Sequence, residues 1–193
     1  KGGMTAMVVD RKILKEMQES MKKAVEHFRA EMVGIRAGRA HPALVENIKV
    51  DYYGVQTPIK QMGTISIPEP RQILISLWDK TATKAVEKAI QTSQLGVMPQ
   101  VDGENIRITL PELTKERRAE LLRIVKKYAE DARVAIRNIR RDVLDELKRQ
   151  EKEGIISEDE LKRIQEEIQD ITDEHIEMVN KILEEKEKEI MEG

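Results

Sequence analysis

Between Leu122 and Val143, apolar side chains recur every three or four residues, at Leu122, Val125, Ala129, Ala132, Ile136, Ile139 and Val143. A stripe of that period can be buried along its whole length only if the chain is helical throughout, and only against other helices. Thr114 supplies an N-cap and Gly154 a stop, so the spacing predicts one continuous helix from Thr114 to about Glu153, roughly 55 to 60 Å long at ~1.5 Å per residue. Two more stripes of the same kind flank it. Ser157-Glu158-Asp159-Glu160 has the form of a capping box and opens a helix with Leu161, Ile164, Ile168, Ile171, His175, Met178 and Ile182 on one face. Near the start, from an N-cap at Asp10, Leu14, Met17, Met21, Ala24, Phe28, Met32 and Ile35 keep the 3,4 spacing until Gly34 to Gly38 ends it. Three stripes that must each be covered, two of them joined by a short loop, predict an elongated antiparallel three-helix bundle.

The bundle is interrupted. Between Ala43 and Leu110 the apolar period changes to two, at Ile48, Val50 and Tyr52, at Ile65 and Ile67, at Ile73 and Ile75, and at Ile106 and Ile108. Tyr53-Gly54, Pro68-Glu69-Pro70 and Asp102-Gly103 read as the turns between these strands, and Thr83 to Gln94 as one short helix ended by Gly96. The predicted class is therefore α+β: residues 1–36 and 111–193 as a helical domain I, and residues 37–110 as a small inserted β/α/β domain II. Both crossings carry Gly or Pro, and Gly38, Pro42, Leu110 and Pro111 are the predicted hinge residues.

Several chemistries have no residues to carry them. The chain has no cysteine, which removes disulfides, thiolate metal sites and thiol nucleophiles. Its three histidines, His27, His41 and His175, lie far apart without a Glu-x-x-His partner, so neither a metal site nor a metal cofactor is expected. His175 falls on an apolar stripe and reads as a core or boundary histidine. No phosphate loop, nucleophile elbow or dinucleotide fingerprint is present. Gly34-Ile35-Arg36-Ala37-Gly38-Arg39 only superficially resembles a phosphate loop, because it follows a helix and lacks the Lys-Ser/Thr end. No run reaches the ~18 to 20 apolar residues of a membrane span. The expectation is a soluble, cytoplasmic, monomeric protein with no catalytic residues and no cofactor, acting by binding.

Charge indicates what it binds. Charged residues make up 36% of the chain for a net charge of −2, yet the balance is uneven: residues 115–156 carry +4 and residues 157–193 carry −9. In the long middle helix Lys126, Arg133, Arg137 and Arg140 fall at offsets of 7, 4 and 3, which places them on one flank of the apolar stripe with Arg141 at its edge. Two readings stand side by side. The ridge can pair with the acidic last helix inside the bundle, as in a helical scaffold or adapter. Alternatively it can bind phosphate, for which the planar arginine fork is suited. Arg36 and Arg39, at the first crossing, are weaker anion-binding candidates.

The residues Gly34-Ile-Arg-Ala-Gly-Arg-Ala40, Asp51-Tyr-Tyr-Gly54 with Thr57-Pro58, Leu113-Thr-Lys-Glu-Arg-Arg118 and Arg133-Val-Ala-Ile-Arg-Asn-Ile-Arg-Arg-Asp142 together resemble the ribosome recycling factor family. The resemblance runs from about residue 9 to the C-terminus. It implies an L-shaped molecule similar in outline to transfer RNA, with a three-helix domain I and a β/α/β domain II on flexible hinges. It also implies binding to the post-termination ribosome and, with elongation factor G and GTP, separation of its subunits. On matching positions the implied contacts to large-subunit ribosomal RNA fall on Arg133, Arg137, Arg140 and Arg141, with Arg36 and Arg39 beside the hinge.

Overall fold

The structure is a computed structural model that describes residues 2–192, with side chains described from Arg11 onward. The chain divides into two compact units. One holds the residues up to Ile35 together with Ala119–Met191, and the other holds Arg36–Arg118.

The first unit is built from helices α1 (Gly2–Gly34), α3 (Lys115–Lys152) and α4 (Glu158–Glu192); α2 belongs to the second unit. The capping signals read from the sequence for α3 and α4 are in place. Arg117 N–H donates to Thr114 Oγ1 at 3.1 Å ahead of α3, and Glu160 N–H donates to Ser157 Oγ at 3.1 Å ahead of α4. Between them Gly154 takes φ +74°, with Ile155 N–H bonded to the Gln150 carbonyl and Gly154 N–H to the Glu151 carbonyl. That double bond pattern is a Schellman stop, which needs a residue tolerant of positive φ. The five-residue turn brings α4 back antiparallel to α3. Arg11 of α1 lies 3.6 Å from Glu167 of α4, and at the other end Arg29 and Met32 share a depression with Ile182 and Lys186, so α1 and α4 run parallel.

The core of this unit is Leu14, Met17, Met21, Val25, Phe28 and Met32 from α1, Leu121, Val125, Ala129, Ala132, Ile136 and Leu147 from α3, and Ile164, Ile168, Val179, Ile182 and Ile190 from α4. Burying each large apolar side chain contributes roughly 1.5 to 3 kcal/mol. The stripes differ from the sequence reading by single positions. Val25 is buried where Ala24 is only half-buried, Leu121 is buried ahead of Leu122, and Thr172 and Val179 take the seam while Met178 is exposed. A 3,4 ladder can be shifted by one residue without breaking its spacing, and packing then selects the flank. The expected cap at Asp10 is also displaced, since the helical backbone already runs from Gly2 and Asp10 sits inside it. The Asp10 side chain lies outside the described residues.

The second unit contains a β-hairpin of β1 (Lys49–Tyr52) and β2 (Val55–Pro58) and a four-stranded antiparallel sheet of order β3-β4-β6-β5. The sheet strands are β3 (Gly63–Glu69), β4 (Gln72–Leu77), β5 (Gln100–Asp102) and β6 (Asn105–Thr109), and α2 (Thr83–Gln91) connects β4 to β5. Tyr53 and Gly54 both have positive φ, as the two-residue hairpin turn joining Tyr52 to Val55 requires. Ile73 faces Ile108 and Ile75 faces Ile106 across the ladder, all four fully buried with Val86 and Ile90 of α2 in the same cluster. The turn after β3 falls at Pro70-Arg71, one step beyond the sequence reading, because Glu69 still pairs with Gln72. Helix α2 ends three residues early, where Thr92 Oγ1 and Ser93 Oγ donate to the carbonyls of Lys88 and Ile90.

Candidate nucleic-acid interface

The fold places Arg133, Arg137, Arg140 and Arg141 on α3 within the helical unit, beginning on the side where α3 meets α4. Exposure varies along the ridge: the Arg133 side chain is 20% exposed, Arg137 47% and Arg141 64%, while Arg140, which like Arg133 reaches across to α4, is half-buried. Lys126 is exposed on the same flank.

Their partners decide between the two readings of the ridge. Arg133 Nε donates to Asn180 Oδ1 at 2.9 Å, and Arg140 Nη1 donates to Gln169 Oε1 at 2.9 Å. Both bonds cross to α4, and both end on neutral amides rather than on any of that helix's carboxylates. The carboxylate contacts come from α3 itself: Glu130 reaches Arg133 at 3.0 Å and Arg137 at 3.5 Å, and Asp142 lies 3.8 Å from Arg141. Among the described residues no carboxylate of α4 pairs with the ridge. A neutral amide orients a guanidinium without cancelling its charge, and with only Glu130 and Asp142 paired against them the four arginines leave a net positive charge on one flank of α3. Glu130 and Asp142 are the counter-charges within the ridge, and exposed pairs of that kind contribute little.

Arg36 and Arg39 are not part of this cluster; they belong to the second unit. Arg36 is exposed beside a shallow depression lined by Leu44, Ile48, Ser93 and Leu95, and Arg39 is half-buried. Gly38 between them has φ +72°, and a Cβ built there would meet Leu113 Cγ at 3.2 Å. Of the other predicted hinge residues, Pro42 opens a short 3-10 helix capped by His41, whose Nδ1 accepts from Ala43 N–H at 3.0 Å. Leu110 N–H bonds the Arg71 carbonyl at 2.8 Å, and Ala40 N–H bonds the Pro70 carbonyl at 2.7 Å. Both crossing segments are thus fastened to one turn of the sheet.

Histidines and carboxylates occupy structural positions. His175 is buried with Nδ1 2.7 Å from the Ile171 carbonyl, and His27 lies 3.5 Å from Glu31. Among the described residues no three His, Asp or Glu side chains are grouped to hold a metal, and no helix is long and apolar enough to cross a membrane. The pKa shifts lie away from the ridge. Arg149, then Gln150, hold the Glu146 carboxyl down to about 2. In the second unit the Tyr52 hydroxyl donates to Asp79, which raises the phenol and lowers the carboxyl. Sequence reasoning missed Asn180, Gln169 and Asp173 as parts of the interface, since uncharged or single acidic residues on a strongly acidic helix carry no distinguishing pattern.

Comparison with known proteins agrees with this architecture. Residues 28–191 match the family described as Ribosome recycling factor. The ribosome-recycling factor of Geobacillus sp. (strain WCH70) is 54% identical over 180 residues, covering 93% of this chain and 97% of that protein. That of Bacillus subtilis (strain 168) is 47% identical, covering 95% and 100%. A solution structure of a ribosome recycling factor is similar with a TM-score of 0.65 at 50% identity, covering 95% of this chain and 98% of that one. A second structure, 46% identical with a TM-score of 0.58 and covering 94% and 98%, is one of the models for the T. thermophilus ribosome recycling factor and the E. coli elongation factor G bound to the E. coli post-termination complex. On the family match and on identities near one half across almost the whole chain, this protein belongs to the ribosome recycling factor family.

Proposed function

We propose that the chain is a translation factor that binds the post-termination ribosome and, with elongation factor G and GTP, splits it into subunits and frees the messenger RNA. It acts as a cytoplasmic monomer and catalyses no reaction itself. Arg133, Arg137, Arg140 and Arg141 grip phosphates of large-subunit ribosomal RNA, with Arg36 and Arg39 as secondary contacts beside the hinge. The observation that carries this reading is the anchoring of Arg133 and Arg140 on the neutral amides of Asn180 and Gln169. A ridge built to stabilise the bundle would meet the carboxylates that abound on α4, whereas Arg133 and Arg140 meet amides there and Arg140 has no carboxylate partner among the described residues.

The helical part, residues 1–36 with 111–193, serves as the anchoring domain I, and residues 37–110 as a domain II that moves on it. The backbone near Gly38 and Pro111 is the favoured pivot, because Ala40 and Leu110 are already tied to the Pro70-Arg71 turn. Glycine at φ +72° can absorb large dihedral changes that other residues resist. Elongation factor G supplies the push, and its GTP the energy.

Co-sedimentation with ribosomes tests the reading. Binding that weakens with rising salt is expected, since each phosphate contact releases counterions. A chain that fails to sediment with ribosomes at low salt would refute it.

A further inference from the structure

Arg140 is held by a relay of two α4 side chains rather than by one. Its Nη1 donates to Gln169 Oε1 at 2.9 Å, and Gln169 Nε2 in turn donates to Asp173 Oδ1 at 2.8 Å. An ionised carboxylate can only accept, so Asp173 claims the amide nitrogen of Gln169 and leaves the amide oxygen facing the arginine. The relay therefore fixes which end of Gln169 Arg140 meets. It also keeps the Asp173 carboxylate one side chain away from the guanidinium. Arg140 Nε, meanwhile, is buried without an acceptor, so Gln169 supplies the hydrogen bond that orients this guanidinium.

We infer that Gln169, oriented by Asp173, is a positioning residue that presents Arg140 to an RNA phosphate with its charge intact. This rests on the reading of the ridge as an RNA-binding surface. Fixing one nitrogen of the fork removes rotamer freedom before binding, so less entropy is lost when the remaining donors engage a phosphate. The neutrality of the amide matters as much as its geometry, because a carboxylate in its place would form the ion pair that the relay avoids.

The test measures affinity of the full chain for salt-washed ribosomes across a salt series, with melting temperature followed in parallel. Arg140→Ala is expected to weaken binding about ten- to a hundredfold, the loss of one charge-assisted contact. Gln169→Met, which keeps the volume and removes the hydrogen bond, is expected to weaken it several-fold without lowering the melting temperature, and to have no further effect in the Arg140→Ala background. Gln169→Glu is expected to weaken it more and to reduce the salt slope by about one contact's share. Wild-type affinity in Gln169→Met, or an equal loss with and without Arg140, would overturn the inference while leaving the ridge reading standing. Wild-type affinity in Arg140→Ala would overturn both.

Discussion

Arg133 donates from Nε to Asn180 Oδ1 at 2.9 Å, whereas Arg137, one turn further along the same flank, has only a 3.5 Å approach to Glu130. The two arginines thus divide between packing and presentation. Arg133→Ala should lower stability by about 0.5 to 1.5 kcal/mol, the usual net worth of one hydrogen bond, while Arg137→Ala should cost less than about 0.5 kcal/mol. Both should weaken ribosome binding. Thermal unfolding of each variant beside its ribosome affinity checks the split, and equal stability losses would contradict it.

Truncation after Gly154 should abolish cooperative folding of the helical unit. It removes Ile164, Ile168, Val179, Ile182 and Ile190, all buried, and uncovers the stripes of α1 and α3. At roughly 1.5 to 3 kcal/mol per side chain these five alone forfeit about 7.5 to 15 kcal/mol, as much as the ~5 to 15 kcal/mol by which a domain is stable, before the uncovered stripes are counted. Circular dichroism melting of the truncated chain makes the check: a sharp helical transition would show that α1 and α3 suffice.

The helices, four of the six strands and the basic ridge were legible because each rests on periodicity or charge, which a single chain displays; β2 and β5 were not. What escaped depends on a choice between adjacent residues or on contacts between distant ones. Thr172 and Val179 replace Met178 at the seam although both registers have the right spacing. Strand β5 is exposed at all three residues, so it shows no alternation, and only its register with β6 identifies it. Asn180 and Gln169 become meaningful only once α4 folds back along α3 and sets them against arginines 47 and 29 positions away.

Gly38→Val should leave ribosome binding near wild type and slow subunit splitting. At φ +72° a β-branched residue is strained, and its Cβ would press on Leu113 at 3.2 Å, while the arginine ridge on α3 is untouched. Light scattering of ribosomes mixed with the variant, elongation factor G and GTP follows splitting directly. A variant that splits ribosomes at the wild-type rate would remove Gly38 from the hinge.

The Tyr52–Asp79 bond should widen the pH range over which the second unit is stable. Hydrogen bonding to Tyr52, then to Thr81, lowers the Asp79 carboxyl from its ordinary 3.8, so its contribution is full above that value and is lost as pH falls through the lowered one. The bond to Asp79 raises the Tyr52 phenol from 10.0, so that contribution is full below 10.0 and is lost as pH rises through the raised value. In Tyr52→Phe the phenol's contribution and the Tyr52 share of Asp79's are absent at every pH, while the bonds from Thr81 to Asp79 remain, so the gap to wild type should be greatest near neutrality and narrow at both extremes. Trp78, the sole tryptophan, is already exposed in the folded unit, so methyl NMR signals of the buried Ile73, Ile75, Ile106 and Ile108 report its unfolding. A gap independent of pH would contradict the coupling.

The central claim is that the arginine ridge of α3 holds ribosomal RNA by its phosphates, and the salt dependence of ribosome affinity tests it most directly. Each neutralised phosphate contributes about 0.7 to 0.9 to the slope of log affinity against log salt concentration. For the Arg137→Ala, Arg140→Ala double variant the account predicts weaker binding at low salt and a slope shallower by about 1.5 than wild type. An unchanged slope at unchanged affinity would mean that the ridge does not touch the RNA.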